Sequence, residues 1–341
     1  MKLSHIGELA LLDYIRTRFI SRSKDVLTGI GDDAAVLKSR VQHLLVTTDM
    51  MVEGVHFDLR FTTPYQLGFK LVSVNVSDIF AMGGTPAYLL LNTAVKKNTD
   101  MAFITSFFDG IHDTLRLYAM KLIGGDISAT QRDMSLCATC IGYGKKVIHR
   151  YGAKAGDTIY TTGTLGDSAC GLALLKKIKR TSPPHPSLVK GGSTGGASVP
   201  RRFIEPLLKK HLMPVARNPK NFVRYATSMI DISDGLLIDL SRLCDESKVG
   251  ARIFLDKIPL SSQLRKAAAE TGIAPVLFAL SGGEDYELLF TAPGKKKINA
   301  FAIGEITESK RVIVDISGKE KPFSAGGYQH FISQGKGKPS S

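Results

Sequence analysis

Residues 27–37 read LTGIGDDAAVL, and two folds compete for them. Glycines spaced G-x-G let a backbone approach phosphate, and GIGDDA fits G-x-G-x-x-A, the fingerprint of a doubly wound NAD(P)-binding sheet. Asp49, twenty residues after Gly29, ends the apolar run HLLVTTD, where that fold places its ribose-binding acid. A crossover between parallel strands, however, needs about a dozen or more residues, usually a helix. The intervening AVLKSRVQ is short and itself partly strand-like. Asp32 and Asp33 at a helix entrance would also repel a bare pyrophosphate. The better reading is an acidic loop that meets phosphate through metal, with glycine allowing close approach.

Working outward, TPYQLGFKLVSVNVSDIFAMGG predicts a helix opened by a capping box, Thr63 with Gln66, with Pro64 at its first position, and closed near Gly83 and Gly84. Its seam of Leu67, Leu71 and Val74 continues onto Asp78, so that carboxylate faces the buried side and calls for a nearby cation. FITSFFDGIHDTLRLYAM predicts a second helix, with Ile104, Phe108, Ile111, Leu115 and Tyr118 on one side. The runs HLLVTTDM, YLLLNTAV, KLIGGD and MSLCATCIGYG read as strands in mixed order, which argues for α+β layers. Past RYGAKAGDTIY the pattern restarts with the strand TIYTTG, a helix begun at Asp167, and SMIDISDGLLIDLSRLC, ARIFLD, YELLFTA, AFAIGEI and RVIVDI. We expect two domains, 1–150 and 151–333, with a tail at 334–341.

The 341 residues, 43% hydrophobic, suffice for two cores. No run approaches the roughly 18 apolar residues of a membrane span, and charge interrupts the N-terminus too often for a signal peptide, so a cytoplasmic enzyme is expected. Four cysteines are too few for a disulfide framework. CATC raises zinc or redox chemistry, but residues three apart on a strand face opposite ways, which favours structural cysteines. The net charge of +14 is local: residues 176–224 hold twelve Lys or Arg against Glu205 alone. The segment around 181–200 has a loop composition and no interleaved aromatics, which disfavours nucleic acid.

Acids recur where strands hand over to loops: GIGDD, VTTD, NVSD, LIGGD, IDISDG and SGGED. Singly each fits a turn or an N-cap. Together, drawn from both halves, they would repel one another unless cations sat between them, and hard oxygen ligands select Mg²⁺ or Mn²⁺. No Walker lysine loop, kinase catalytic loop or G-x-S-x-G elbow occurs in the sequence.

In order, GIGDDAAVL, TTDMMVEGVHF, VNVSDIFAMGGTPAYLLL, LIGGDIS, GDTIYTTGTLGDSA, DISDGLLIDL and SGGEDYELLF resemble the thiamine-monophosphate kinase family, over about residue 7 to Phe331. The resemblance implies the two-domain aminoimidazole-ribonucleotide synthetase-like fold: an N-terminal α+β domain whose strands pair across a homodimer, and a C-terminal α/β domain. It implies ATP, several Mg²⁺ ions, and transfer of the γ-phosphoryl group to thiamine monophosphate. By motif, it implies Asp33, Thr47, Thr48, Asp49, Asp78, Asp126, Asp231 and Asp234 as metal ligands. Gly125, Asp126, Arg150 and Ser233 would meet ATP, and His56, Glu284 and Tyr328 the thiamine phosphate. A phosphate acceptor, with a second pKa near 6, is largely dianionic at pH 7 and needs no general base. Another ATP-dependent synthetase of the superfamily is the alternative; no Cys precedes GIGDD, which counts against a selenium acceptor.

Overall fold

A computed structural model describes residues 14–15, 17–19, 24, 26–28, 36–37, 43–177, 199–294 and 298–323. Strands β1 (Val26–Thr28) and β2 (Val36–Leu37) pair antiparallel, with Val26 opposite Leu37. The strands on either side of the GIGDDA stretch are therefore antiparallel partners, not the parallel pair that the NAD(P)-binding reading requires. Asp32, Asp33, Tyr328, most of the basic loop (181–198) and the tail 334–341 lie outside the described residues.

The first half is built on β3 (His43–Val52), β4 (Thr85–Lys96), β5 (Lys121–Thr130) and β6 (Ser135–Gly144), in the order β3-β6-β4-β5. All pairs are antiparallel except β4 with β5. Helices α1 (Pro64–Ala81) and α2 (Met101–Leu117) cover one face. Thr63 caps α1 as its sequence requires: its hydroxyl accepts from the Gln66 N–H, and the Gln66 side chain accepts from the Thr63 N–H. Leu67, Leu71, Val72, Val76 and Ile79 are at most 1% exposed, each burial worth about 1.5–3 kcal/mol. The two helices approach backbone to backbone at Gly68 and Gly110. A Cβ on Gly68 would stand 2.1 Å from the Phe107 carbonyl oxygen.

Alternation along β3 and β6 divides the sheet's faces. Leu136, Ala138 and Cys140 are buried against the helices. Cys137 points the other way, and both thiols are free, as the strand period predicted. On that outer face Leu44, Val46 and Met50 are each more than half exposed.

The second half is a seven-stranded sheet among the described residues. Its strands are β7 (Asp157–Thr161), β8 (Ser228–Asp231), β9 (Gly250–Phe254), β10 (Leu288–Pro293), β11 (Phe301–Thr307), β12 (Arg311–Val314) and β13 (Glu320–Pro322). Their order is β13-β12-β9-β11-β7-β10-β8, parallel only at β12–β9. Helices α3 (Asp167–Lys177), α4 (Arg201–Leu212) and α6 (Ser262–Ala267) share one apolar cluster. Helices α5 (Leu236–Ser247) and α7 (Pro275–Ser281) pack in another, with Ile159, Ile230 and Leu289. The two halves meet along α1, where Ala81 joins Met229, Leu288 and Phe290 in a third cluster. One helix thus packs on its own sheet and touches the edge of the other.

Candidate active site

Three carboxylates from different elements gather where α1 passes β8. On β3, Thr47 and Asp49 face inward. The Thr47 hydroxyl donates to Asp78 Oδ2 at 2.6 Å, and the Asp49 N–H donates to Asn75 Oδ1 at 3.1 Å. Across the junction, the Ser77 hydroxyl donates to Asp231 Oδ2 at 2.7 Å. Burial pushes the Asp49 carboxyl up to about 7, with the charges of Asp78 and Asp234 adding to it. Asp231, 3% exposed, is pushed well above the carboxylate range by burial and then by Asp78, against its bond from Ser77. Asp78 is raised by burial although Thr47 and the nearby charge of Arg150 oppose this. Desolvated acids repelling one another are a costly arrangement unless cations join them.

The chain after β8 turns sharply into α5, and Asp239 holds that turn. Buried completely, its Oδ2 accepts the backbone N–H groups of Ser233, Asp234 and Gly235 at 3.0–3.1 Å. Burial raises its carboxyl to about 6. Arg242 donates to both Asp239 Oδ1 and Asp234 Oδ2 at 2.7 Å, tying the turn to the helix. Sequence reasoning missed Asp239 and Arg242. The available signal was an acid in a helix's first turn with a cation three residues on.

The SGGED motif is an anchor point. Glu284 Oε1 lies 2.7 Å from Lys70 Nζ on α1, and its Oε2 lies 3.1 Å from His211 Nδ1 on α4. His211 Nδ1 is also 3.1 Å from the Ser168 hydroxyl. Burial opposes the charge on Glu284, but Lys70 and His211 hold its carboxyl well below the usual range. Burial, aided by Lys70, pushes the His211 ring down. Asp285 accepts the N–H groups of Gly166 and Ser168 at the start of α3, and burial lifts its carboxyl to about 7. Glu287, 1% exposed, meets Lys210 Nζ and Arg217 Nε, each at 2.6 Å. Part of the basic stretch therefore neutralises buried acid and does not form an open anion-binding surface.

Other expected site residues stand apart from the cluster. Thr48 follows the strand alternation to the outer face, where its hydroxyl donates to the Ala138 carbonyl at 3.0 Å. Asp126 is exposed and in register with Asn92, which pairs with Cys137 and so shares the face of Met50. Thr48 cannot share the face of its neighbours Thr47 and Asp49, and the register puts Asp126 on the same outer face as Thr48. Gly125 is brought against β4, where a Cβ would stand 1.8 Å from the Leu91 carbonyl oxygen. Half-buried His56 turns back on its own loop, its Nδ1 accepting from the Val52 N–H at 3.1 Å. Arg150, by contrast, is exposed at the rim but near enough for its charge to act on Asp78, and its carbonyl accepts from the Ser247 hydroxyl.

The donor set fits a hard divalent cation: carboxylates with a hydroxyl beside them, no thiolate or imidazole in the group, and mutual repulsion that a cation would relieve. Among the described residues, no three or more His, Cys, Asp or Glu side chains form a group that could hold one ion. Water and phosphate oxygens would have to complete the shell, as is usual for Mg²⁺.

Known proteins share this architecture. Residues 31–143 match the N-terminal domain, and 154–317 the C-terminal domain, of the AIR synthase related proteins. The thiamine-monophosphate kinase of Aquifex aeolicus is 35% identical over 337 residues, covering 97% of this chain and all of its own length. That of Escherichia coli K12 is 36% identical over 343 residues, 96% of this chain and 99% of its own. The solved structure of AaThiL complexed with AMPPCP and TMP superposes with a TM-score of 0.74 at 34% identity, covering 97% of this chain and 99% of its own. Motif order, two-domain architecture and full-length similarity agree, and the chain belongs to the thiamine-monophosphate kinase family.

Proposed function

We infer that this chain phosphorylates thiamine monophosphate to thiamine diphosphate, using ATP as donor and Mg²⁺ as the metal. The observation that carries the reading is that Asp49, Asp78 and Asp231, from both halves of the chain, are held where α1 meets β3 and β8 by bonds from Thr47, Asn75 and Ser77, near enough to act on one another's charge. The relatives' names and the AMPPCP and TMP bound by AaThiL supply the chemistry.

The chemical difficulty is bringing a phosphate dianion up to the γ-phosphate of ATP. Bound divalent ions would screen both anions and hold them in line. The chain's part is to fix the ligands. Thr47 aims Asp78, Asn75 holds the β3 backbone at Asp49, and Ser77 aims Asp231. In this reading Asp33 completes the metal ligands, with Asp234 holding a further ion once released from Arg242. Gly125, Asp126, Arg150 and Ser233 serve ATP, while His56, Glu284 and Tyr328 lie on the thiamine side. No side chain need remove a proton, because the acceptor oxygen is already ionised.

The exposed apolar row Leu44, Val46 and Met50 supports a homodimer formed through the outer face of the first sheet. The domain matches ending at 143 and resuming at 154 support a division near residue 150. No helix among the described residues is long and apolar enough to cross a membrane.

The test is to incubate the purified chain with ATP, Mg²⁺ and thiamine monophosphate and to separate the products. Thiamine diphosphate and ADP in equal amounts are expected, with none formed in EDTA. ATP consumption that releases inorganic phosphate without thiamine diphosphate would overturn the assignment and indicate a synthetase.

A further inference from the structure

Tyr286 has no assigned role, and three geometric facts single it out. It adopts φ 48°, a left-handed backbone that a residue with a side chain occupies only when its surroundings enforce it. Those surroundings are the turn after β8: the Tyr286 N–H donates to the Ile232 carbonyl at 2.9 Å, the Glu284 N–H to the Ser233 carbonyl at 2.7 Å, and Leu288 pairs with Asp231. The strip 284–288 therefore runs beside Asp231, Ser233 and Asp234.

The residues on either side of Tyr286 in this strip, and the Asp231 they run beside, contact α1. Glu284 meets Lys70, Asp231 meets Ser77, and Leu288 packs in the cluster containing Ala81. Lys70 and Ser77 are two helical turns apart, on the order of 10 Å, and Tyr286 falls in the interval between the contacts they make. The residue is 9% exposed. Its hydroxyl has no hydrogen-bond partner among the described residues, yet it is not one of their enclosed unsatisfied groups, which are Tyr14 Oη, Arg18 Nε and Thr161 Oγ1. The ring is enclosed, and the charges of Glu284, Asp49, Asp231 and Asp78 act on its hydroxyl.

We propose that the Tyr286 hydroxyl donates a hydrogen bond to a phosphate oxygen of the phosphate ester bound among Asp49, Asp78 and Asp231, making it a substrate-contacting residue of the reaction inferred above, on which this assignment rests. A donor placed only for stability would be paired within the fold, since an unpaired one inside costs free energy. A phosphate oxygen entering with its counter-ions supplies the missing acceptor. Burial, then the charges of Glu284, Asp49, Asp231 and Asp78, push the phenol well above its ordinary range. It therefore stays protonated at neutral pH and acts as a donor.

Tyr286→Phe keeps the ring and the backbone and deletes only the donor. Three quantities are compared with the unaltered protein: the melting temperature, the calorimetric affinities for thiamine monophosphate and for a non-hydrolysable ATP analogue with Mg²⁺, and kcat. The melting temperature is expected to be unchanged or slightly raised, because no folded-state bond is lost. One affinity, or kcat, is expected to fall roughly ten- to a hundred-fold, the range for a hydrogen bond to a charged group. Loss in the thiamine monophosphate arm assigns the contact to the acceptor phosphate, loss in the nucleotide arm to the donor, and loss in kcat alone to the transition state. Unchanged affinities and kcat, or a lowered melting temperature that marks a structural bond, would overturn the assignment. If the unaltered protein makes no thiamine diphosphate, the function fails first; if it does and Tyr286→Phe matches it, only this inference fails.

Discussion

Replacing Lys70 by Met would strand Glu284. The lysine side chain is 4% exposed and its carboxylate partner 26%, so the pair is largely withdrawn from water. Removing one member of a buried pair costs about 3–5 kcal/mol, mostly because the other charge is left uncompensated. Residual exposure of Glu284 and its second contact with His211 put the expected loss at the low end, about 3 kcal/mol at pH 7.5. The pH dependence follows from the sign of the shift. In the unaltered protein the Glu284 carboxyl is held below its ordinary range. Its contribution is therefore full above the unfolded value near 4.3 and is lost as pH falls toward the folded value. Without Lys70, burial dominates and the folded carboxyl rises above the unfolded value, so Glu284 becomes a penalty that grows as pH rises. His211, freed from the repulsion of Lys70, gains a proton more readily and restores part of the pairing in acid. The deficit should accordingly shrink between pH 7.5 and pH 5. Adding Glu284→Gln should recover most of it, because removing both charges is far less harmful than removing one. Urea unfolding of the parent, both single variants and the double variant at the two pH values measures this. A Lys70→Met loss below about 1 kcal/mol at pH 7.5, or a double variant no more stable than the single, would refute the reasoning.

Two further predictions concern the acidic cluster and the outer face. Asp49→Asn should abolish turnover yet raise the melting temperature of the metal-free protein at pH 8. With the folded carboxyl lifted to about 7, Asp49 costs stability increasingly as pH climbs from its unfolded value near 3.9 toward 7. Scanning fluorimetry in EDTA should therefore show a gain at pH 8 that vanishes near pH 4.5; a loss at pH 8 would contradict this. Val46→Lys places a charge in the centre of the exposed row on β3. Sedimentation should show a dimer for the parent and a monomer for the variant, whereas an unchanged association state would remove that face from the interface.

Much of the frame is legible in local chemistry. Thr63, Pro64 and Gln66 announce the start of α1, and the period of its seam turns Asp78 inward. The same alternation that separates Cys137 from Cys140 sets Thr48 on the sheet face opposite Thr47 and Asp49. Tertiary pairing is what the sequence hides. Lys70 sits in a helix as any surface lysine would, and nothing local says that it ends against Glu284. Asp239 looks like a first-turn acid until three backbone N–H groups are found on one of its oxygens. Glu284 is tied to both halves of the molecule through Lys70 and His211, contacts made only after folding.

The most direct test of the central claim is a crystal grown with manganese in place of magnesium, a non-hydrolysable ATP analogue and thiamine monophosphate, with the ions located by anomalous scattering. The account predicts manganese bound directly to Asp49, Asp78 and Asp231 and shared with phosphate oxygens of the nucleotide. Both ligands bound with no ion touching these three carboxylates would contradict it.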